Sequence, residues 1–290
     1  MRAATVVTAV LGLIAACGAR TPLELGESMG DDDGGPPPIV DGASPDSDRP
    51  PNQPTRAGYL AAIGTPSGAF ATARFYAEAV DPACAYLGAV GTCSVVMCFS
   101  SDAPTSDDAG LINVRVDSNG LETLIDYQGV SPTGTYSTST FAAAANVGAG
   151  TSLDFTSGGA IDVPMFMVDI TLPAFGTLTS PVVQVSTTID TSVDLPLAWE
   201  PIAFGDAVFA LSPEASTGAG PTLVCFFDGA SGAGVVPHGL LAEIKQASPG
   251  GEAAASFLAM ARASTIAGDW TVSAVAVTET TQQSGTLTLE

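Results

Sequence analysis

The chain has 290 residues, 46% hydrophobic and only 13% charged, which is the apolar content of a folded protein and excludes the disordered class. Eight Lys and Arg residues face thirty Asp and Glu, for a formal charge of −22, and Lys245 is the only lysine. No basic patch can be built from that set, which excludes nucleic acid as a partner and charge-driven attachment to an anionic membrane.

The first element is a short apolar run. Arg2 supplies a positive start, and Ala3 to Ile14 make about a dozen weakly hydrophobic residues, fewer than the roughly 20 that span a bilayer. Residues 1–16 therefore read as an export signal. Ile14-Ala15-Ala16-Cys17 resembles the lipobox of bacterial lipoproteins, with Ile14 where that family usually has Leu. The resemblance implies that Cys17 is diacylated and becomes the mature N-terminus, so that the membrane is a partner through the lipid. Gly18 in place of Asp is similar to lipoproteins sorted to the outer membrane, on its periplasmic or cell-surface side. The alternative is cleavage after Ala16 by the ordinary signal peptidase.

Residues 17–57 read as a disordered tether. "DDDGGPPPIVDGASPDSDRPPNQP" has almost no apolar periodicity and cannot offset the entropy of ordering its backbone. Proline stiffness and repulsion among its acids extend it beyond the roughly 35 Å of a flexible coil. The segment "PDSDRP" lacks the Gly and the distant Glu of an EF-hand loop, so it is not read as a calcium site.

From residue 58 the pattern predicts an all-β fold, one or two antiparallel, immunoglobulin-like β-sandwiches. Runs such as "TCSVVMCF", "GLINVRVD", "SLDFTS", "MFMVDITL", "DAVFALS", "TLVCFF" and "DWTVSAVAVT" recur between Gly, Pro, Asp and Ser. "PHGLLAEIKQ" reads as a short helix opening on proline, and the Ala-rich "FAAAANVGAG" as a second. "LPAFGTLTSP" suggests a boundary near residue 180, giving halves 58–180 and 181–290. "DLPLAWEP" followed by "DAVFALS" resembles the B and C strands of fibronectin type III and immunoglobulin-like modules, where a Trp packs between sheets. Together with "CAYLGAVGTCSVVMC", "DVPMFMVDITLP", "TLVCFFDGASGAGVVPHGLLAEI" and "AGDWTVSAVAV", the folded part is similar to uncharacterised secreted lipoproteins of the myxobacterial type. That resemblance implies an exported β protein and brings no catalytic residue.

Setting Cys17 aside leaves Cys84, Cys93, Cys98 and Cys225, an even number suited to disulfides in an exported chain. Cys93 and Cys98 would sit about 16 Å apart on one strand, beyond the roughly 7 Å a disulfide allows between Cα atoms. Either Cys84 joins Cys93 and Cys98 joins Cys225, or the partners cross over. Zinc is disfavoured because no C-x-x-C pair exists and His238 is the only histidine, and no cofactor is expected.

The catalytic motifs read as decoys. Gly26-Glu27-Ser28-Met29-Gly30 matches G-x-S-x-G but lies in the tether, away from any strand-to-helix turn. Asp228, Ser231 and His238 hold the parts of an acyl-transfer triad, yet "DGASGAG" reads equally as a turn after a buried strand. Asp102, Asp107 and Asp108 could be carboxylates of a glycosidase or ligands of calcium, but adjacent acids on a polar loop read as a solvated face. The leading expectation is a non-enzymatic surface lipoprotein with a structural or interaction module, whose ligand is a protein or a polysaccharide. A polysaccharide-binding module and a hydrolase built around His238 are the rivals.

Overall fold

The computed structural model describes residues 56–65, 68–76, 84–98, 107–116, 121–125, 127–128, 135–137, 142–143, 149–183, 187–213, 220–278 and 284–290. The expected signal 1–16, Cys17, the Gly26–Gly30 motif and Asp102 lie outside them. The last two residues expected in the tether, Arg56 and Ala57, already belong to the first strand, because Arg56 pairs with Asp269 and lies over the Trp270 ring.

In chain order the first strands are β1 (Arg56–Thr65), β2 (Gly68–Tyr76), β3 (Cys84–Val90), β4 (Cys93–Cys98), β5 (Ile112–Val116), β6 (Leu121–Ile125) and β7 (Tyr127–Gln128). Next come β8 (Thr135–Ser137), β9 (Ala142–Ala143), β10 (Ser152–Ser157), β11 (Phe166–Thr171), β12 (Leu178–Ser180), β13 (Thr187–Ile189), β14 (Leu195–Trp199) and β15 (Asp206–Pro213). The chain closes with β16 (Pro221–Asp228), a 3₁₀ turn (Gly229–Ser231), β17 (Ala233–Val236), helix α1 (His238–Gln246), β18 (Glu252–Ala267), β19 (Trp270–Thr278) and β20 (Ser284–Leu289). The helix expected over 237–246 is thus present, with Pro237 just outside it. Of the second expected helix, Ala142 and Ala143 instead form β9, whose backbone groups pair with the edge of β2; residues 144–148 lie outside the described set.

Among the described residues the fold is all-β apart from α1 and the 3₁₀ turn. A large sheet of thirteen strands runs β3-β4-β16-β15-β18-β19-β1-β2-β8-β7, with β9, β13 and β20 attached beside it. A four-stranded sheet runs β11-β10-β5-β6 and a three-stranded one β12-β14-β17. Side chains alternate as a half-buried strand requires: in β11, Phe166, Val168 and Ile170 point inward while Met167 and Asp169 face solvent. Pairing is antiparallel except for β1 on β19 and β13 on β20, which are parallel.

Both small sheets cover the same face of the large one, and β18 shows why. Its odd-numbered residues Ala253, Ala255, Phe257 and Ala259 pack into a core with Leu195, Leu197 and Trp199 of the three-stranded sheet and Leu241 and Ile244 of α1. Further along the same face, Ala261, Ala263 and Ala267 join a second core with Phe155, Phe166 and Val168 of the four-stranded sheet. One strand of sixteen residues, about 50 Å long, therefore floors two sandwiches. The small sheets divide between residues 171 and 178, close to the boundary read from the sequence, whereas the large sheet takes strands from both sides of it. On its opposite face, Val208, Ala210, Val224, Leu258, Met260, Val275 and Val277 form a third buried cluster, so the central strands are apolar on both sides.

Two glycines are dictated by close approach. Gly58 lies opposite Phe75 in the β1–β2 ladder, and a Cβ there would sit 2.6 Å from the Phe75 ring. Gly205 has φ +90°, and a Cβ would lie 2.2 Å from the Met260 carbonyl oxygen, a backbone atom that cannot rotate away. Gly205→Ala is expected to cost about 3 kcal/mol, read as a lowered urea midpoint at unchanged m-value. A variant as stable as the parent would contradict this account of the β14–β15 turn.

Candidate functional site

The sequence offers α1 no side-chain cap of its own, since Pro237 stands at the N-cap position and makes no side-chain hydrogen bond. The missing acceptor comes from Asp194, just before β14. Its Oδ1 accepts the backbone N–H of His238 at 2.8 Å, and the His238 ring Nδ1 lies 2.8 Å from the same oxygen. These two bonds, the backbone one first, hold the Asp194 carboxyl below its ordinary value of 3.8. Both side chains are more than half exposed, so the pair is a solvated one.

This arrangement assigns His238 a partner that sequence reading had not considered, and it leaves the proposed triad unassembled. Ser231 Oγ donates within its own turn, lying 2.7 Å from the Asp228 carbonyl oxygen and 2.9 Å from that of Ala233. Asp228 Oδ1 accepts the Ala230 N–H at 3.0 Å and so closes the 3₁₀ turn. Strand β17 then carries the chain about 10 Å from that turn to the helix. Acid, hydroxyl and imidazole each serve local backbone geometry, and the turn reading of "DGASGAG" describes them.

Asp190 and Asp194 flank the loop before β14 and share a pH signature. Asp190 is lowered below 3.8 mainly by the Ser192 hydroxyl, 2.6 Å away, and then by the Ser192 N–H at 2.9 Å. A carboxyl whose folded pKa is depressed stabilises above its unfolded value and loses that contribution as pH falls through the folded one. Thermal midpoints measured from about pH 5 down to pH 2 should therefore fall less steeply for Asp194→Asn than for the parent. Identical slopes would remove the cap from the account.

The acidic loop is also structural. Asp108 Oδ1 accepts the Gly110 N–H at 2.8 Å and the Tyr136 hydroxyl at 3.1 Å, while that hydroxyl accepts the Ala109 N–H at 2.8 Å. Tyr136 is wholly buried and meets Phe75 edge-on at 5.8 Å. The Asp107 N–H donates to the Phe75 carbonyl at 2.7 Å. Asp107 and Asp108 are only half exposed, against the solvated face expected of them, because this tyrosine draws their loop onto the core.

Cys93 and Cys225 face one another in the β4–β16 ladder and form a disulfide with Cα atoms 4.0 Å apart, bridging 132 residues. Both are buried beneath β17, whose Val235 carbonyl approaches Cys93 Sγ. That bond is incompatible with Cys84–Cys93 and Cys98–Cys225. The backbone register instead sets Cys84 opposite Cys98 in the β3–β4 hairpin.

Both tryptophans belong to the cores. Trp199 donates from Nε1 to the Gly229 carbonyl at 2.9 Å and packs between Phe227 and Phe257, at centroid distances of 5.5 and 5.8 Å. Its place between sheets is the one that the "LAWEP" resemblance implied. Trp270 is fully buried and donates to the Asp162 carbonyl at 3.1 Å. A groove of about 370 Å³ lined by Leu87, Pro221, Glu243, Gln246 and Ala247 brings a single carboxylate and no convergent polar set. Among the described residues no group of three or more His, Cys, Asp or Glu side chains gathers to hold a metal ion.

No family model matches the chain, and no curated protein matches it. Among solved structures it aligns with a chimeric titin Z1Z2-Z1Z2 tandem functionalized with a GRGDS exogenous peptide from fibronectin, at 10% identity, over 80% of this chain and 96% of that one, with a TM-score of 0.19. It also aligns with Dpr11 IG1 bound to DIP-gamma IG+IG2, at 8% identity, over 76% of this chain and 95% of that one, with a TM-score of 0.17. At such TM-scores the backbones do not superpose, and the architecture rests on its own strand order.

Proposed function

We propose that this protein is an exported lipoprotein, held at the outer membrane by a diacylated Cys17, whose β-sandwich is a structural or interaction module and performs no catalysis. The observation that supports this reading best is the buried Cys93–Cys225 disulfide. A bond of that kind persists in an oxidising compartment, the place to which a signal over residues 1–16 delivers a chain. The candidate catalytic groups fit the same reading, since Asp228 and Ser231 are engaged in a turn and His238 pairs with the helix-capping Asp194. A polysaccharide module would present a row of exposed aromatics; both tryptophans are buried, and among the described residues the exposed aromatics are the scattered Phe175 and Phe204. Cys84 and Cys98 form the second disulfide in this proposal, because directly opposed residues in an antiparallel ladder lie within reach of one another.

Mass spectrometry of the mature N-terminus, with and without inhibition of the lipoprotein signal peptidase, tests the anchor. A diacylated Cys17 and accumulation of precursor under inhibition are expected; an unmodified Cys17, or cleavage that ignores the inhibitor, defeats the reading. A non-reducing peptide map of the same sample should link Cys84 to Cys98, and free thiols at both would defeat that pairing.

A further inference from the structure

Among the described residues the five most exposed large apolar side chains are Ile161 at 95%, Met165 at 75%, Ile266 at 70%, Met167 at 62% and Leu111 at 59%. They come from separate parts of the chain, yet the fold brings them to one end. Gly110, beside Leu111, packs against Gly159, where a Cβ would lie 2.8 Å from the Gly159 carbonyl oxygen. Gly159 in turn lies against the Met165 amide, and the Ala160 N–H closes the loop onto the Val163 carbonyl at 2.9 Å. Pro164 reaches the β18–β19 turn at Gly268, two residues beyond Ile266. Leu111, Ile161 and Met165 thus sit on neighbouring loops at this end, with Met167 on the outward side of β11 and Ile266 near the end of β18 beside them.

The same end receives the N-terminal segment. The carbonyl of Asp162, next to Ile161, accepts from Trp270 Nε1 at 3.1 Å and from an Arg56 guanidinium nitrogen at 3.5 Å, and Arg56 is where the described chain begins. Arg56 therefore places the start of the described chain beside this group of exposed apolar side chains. A monomer in water gains nothing from such a cluster, and apolar side chains grouped at one place mark a contact surface.

We propose that Leu111, Ile161, Met165, Met167 and Ile266 form a lipid-contacting end, which dips into the bilayer surface when Cys17 is held there. The proposal rests on the lipoprotein reading for its orientation. Projecting loop tips suit the soft interfacial layer better than the flat, complementary surface of a protein partner, and unbranched methionines adapt to either depth. Arg56, at this end, is paired with Asp269 at 3.3 Å, so its charge is not what would draw this surface to the bilayer.

The test couples the mature, unacylated full-length chain through its Cys17 thiol to a maleimide lipid in phosphatidylcholine vesicles with brominated acyl chains, which anchors it whether or not the cell acylates Cys17. Ile161→Trp is compared with Val90→Trp, at the β3–β4 turn. Val90 lies beyond Cys93, whose row across the sheet meets β18 at Phe257, about 33 Å along that strand from Ala267. The emission added by Ile161→Trp, taken as the difference from the parent with its Trp199 and Trp270, should fall roughly two-fold on the brominated vesicles, since interfacial side chains sit about 5–10 Å deep, with no such fall for Val90→Trp and no change on adding salt. Equal emission from the two variants would overturn the proposal. So would a dimer in vesicle-free solution that Ile161→Asp dissolves, which would assign the surface to a second copy of the chain. Failure of the acylation assay alone would leave Cys17 unmodified in the cell and would be read separately.

Discussion

Replacing Cys93 and Cys225 together by alanine should lower the unfolding free energy by about 4 kcal/mol and the melting midpoint by about 10 °C. The bond closes a loop across 132 residues, so its loss releases a large part of the unfolded chain from a constraint, and both side chains leave a buried site in the ladder. Urea unfolding with and without reductant checks this: the parent should lose more on reduction than the double variant, in which only the proposed Cys84–Cys98 bond is left to break. A double variant within about 0.5 kcal/mol of the parent would mean that the β4–β16 ladder holds without its bridge.

Trp270→Ala should cost about 3–5 kcal/mol, and Trp270→Phe distinctly less. The indole fills the core between the large and the four-stranded sheets, meets Phe75 at 6.0 Å, donates to Asp162 and lies beneath Arg56 at 5.6 Å. Its removal leaves a cavity and leaves the Asp162 carbonyl with only the longer bond from Arg56. The remaining Trp199 reports on the other core, and because β18 floors both, its fluorescence should shift to lower urea together with the circular dichroism. A Trp199 transition left at the parental midpoint would show that the two cores unfold separately.

The β pattern was legible because alternation is local: "LPLAW" and "FMVDIT" each carry their two faces in five or six residues, whereas an inward Trp199 was implied only by the resemblance of its strand to immunoglobulin-like modules. The parallel β1–β19 pair was not, since nothing in "RAGYLAAIGT" distinguishes an antiparallel neighbour from a parallel one. Nor was the double duty of β18, whose alanines read as a bland run until two different layers are set upon them. At the candidate site, the turn around Ser231 was legible from its glycines. The pairing of His238 with Asp194 was not, because the two lie 44 residues apart; the one available signal was the absence of a Ser, Thr, Asp or Asn before "HGLL". Tyr136 was missed for a similar reason, its hydroxyl meeting a loop 27 residues earlier.

The position of β1 has a consequence for when the molecule can form. Its residues 56–64 take their places alongside 270–278, so the first described strand lies between β2 and a strand made almost at the end of the chain. While the chain is being synthesised, β1 and β2 can pair as a hairpin, but their sheet has no central neighbour and their core has no Trp270. Such long-range pairing folds late and slowly. Under the proposed export this order of events is an advantage, since the sheet cannot close around β1 until residues 270–278 have crossed the membrane.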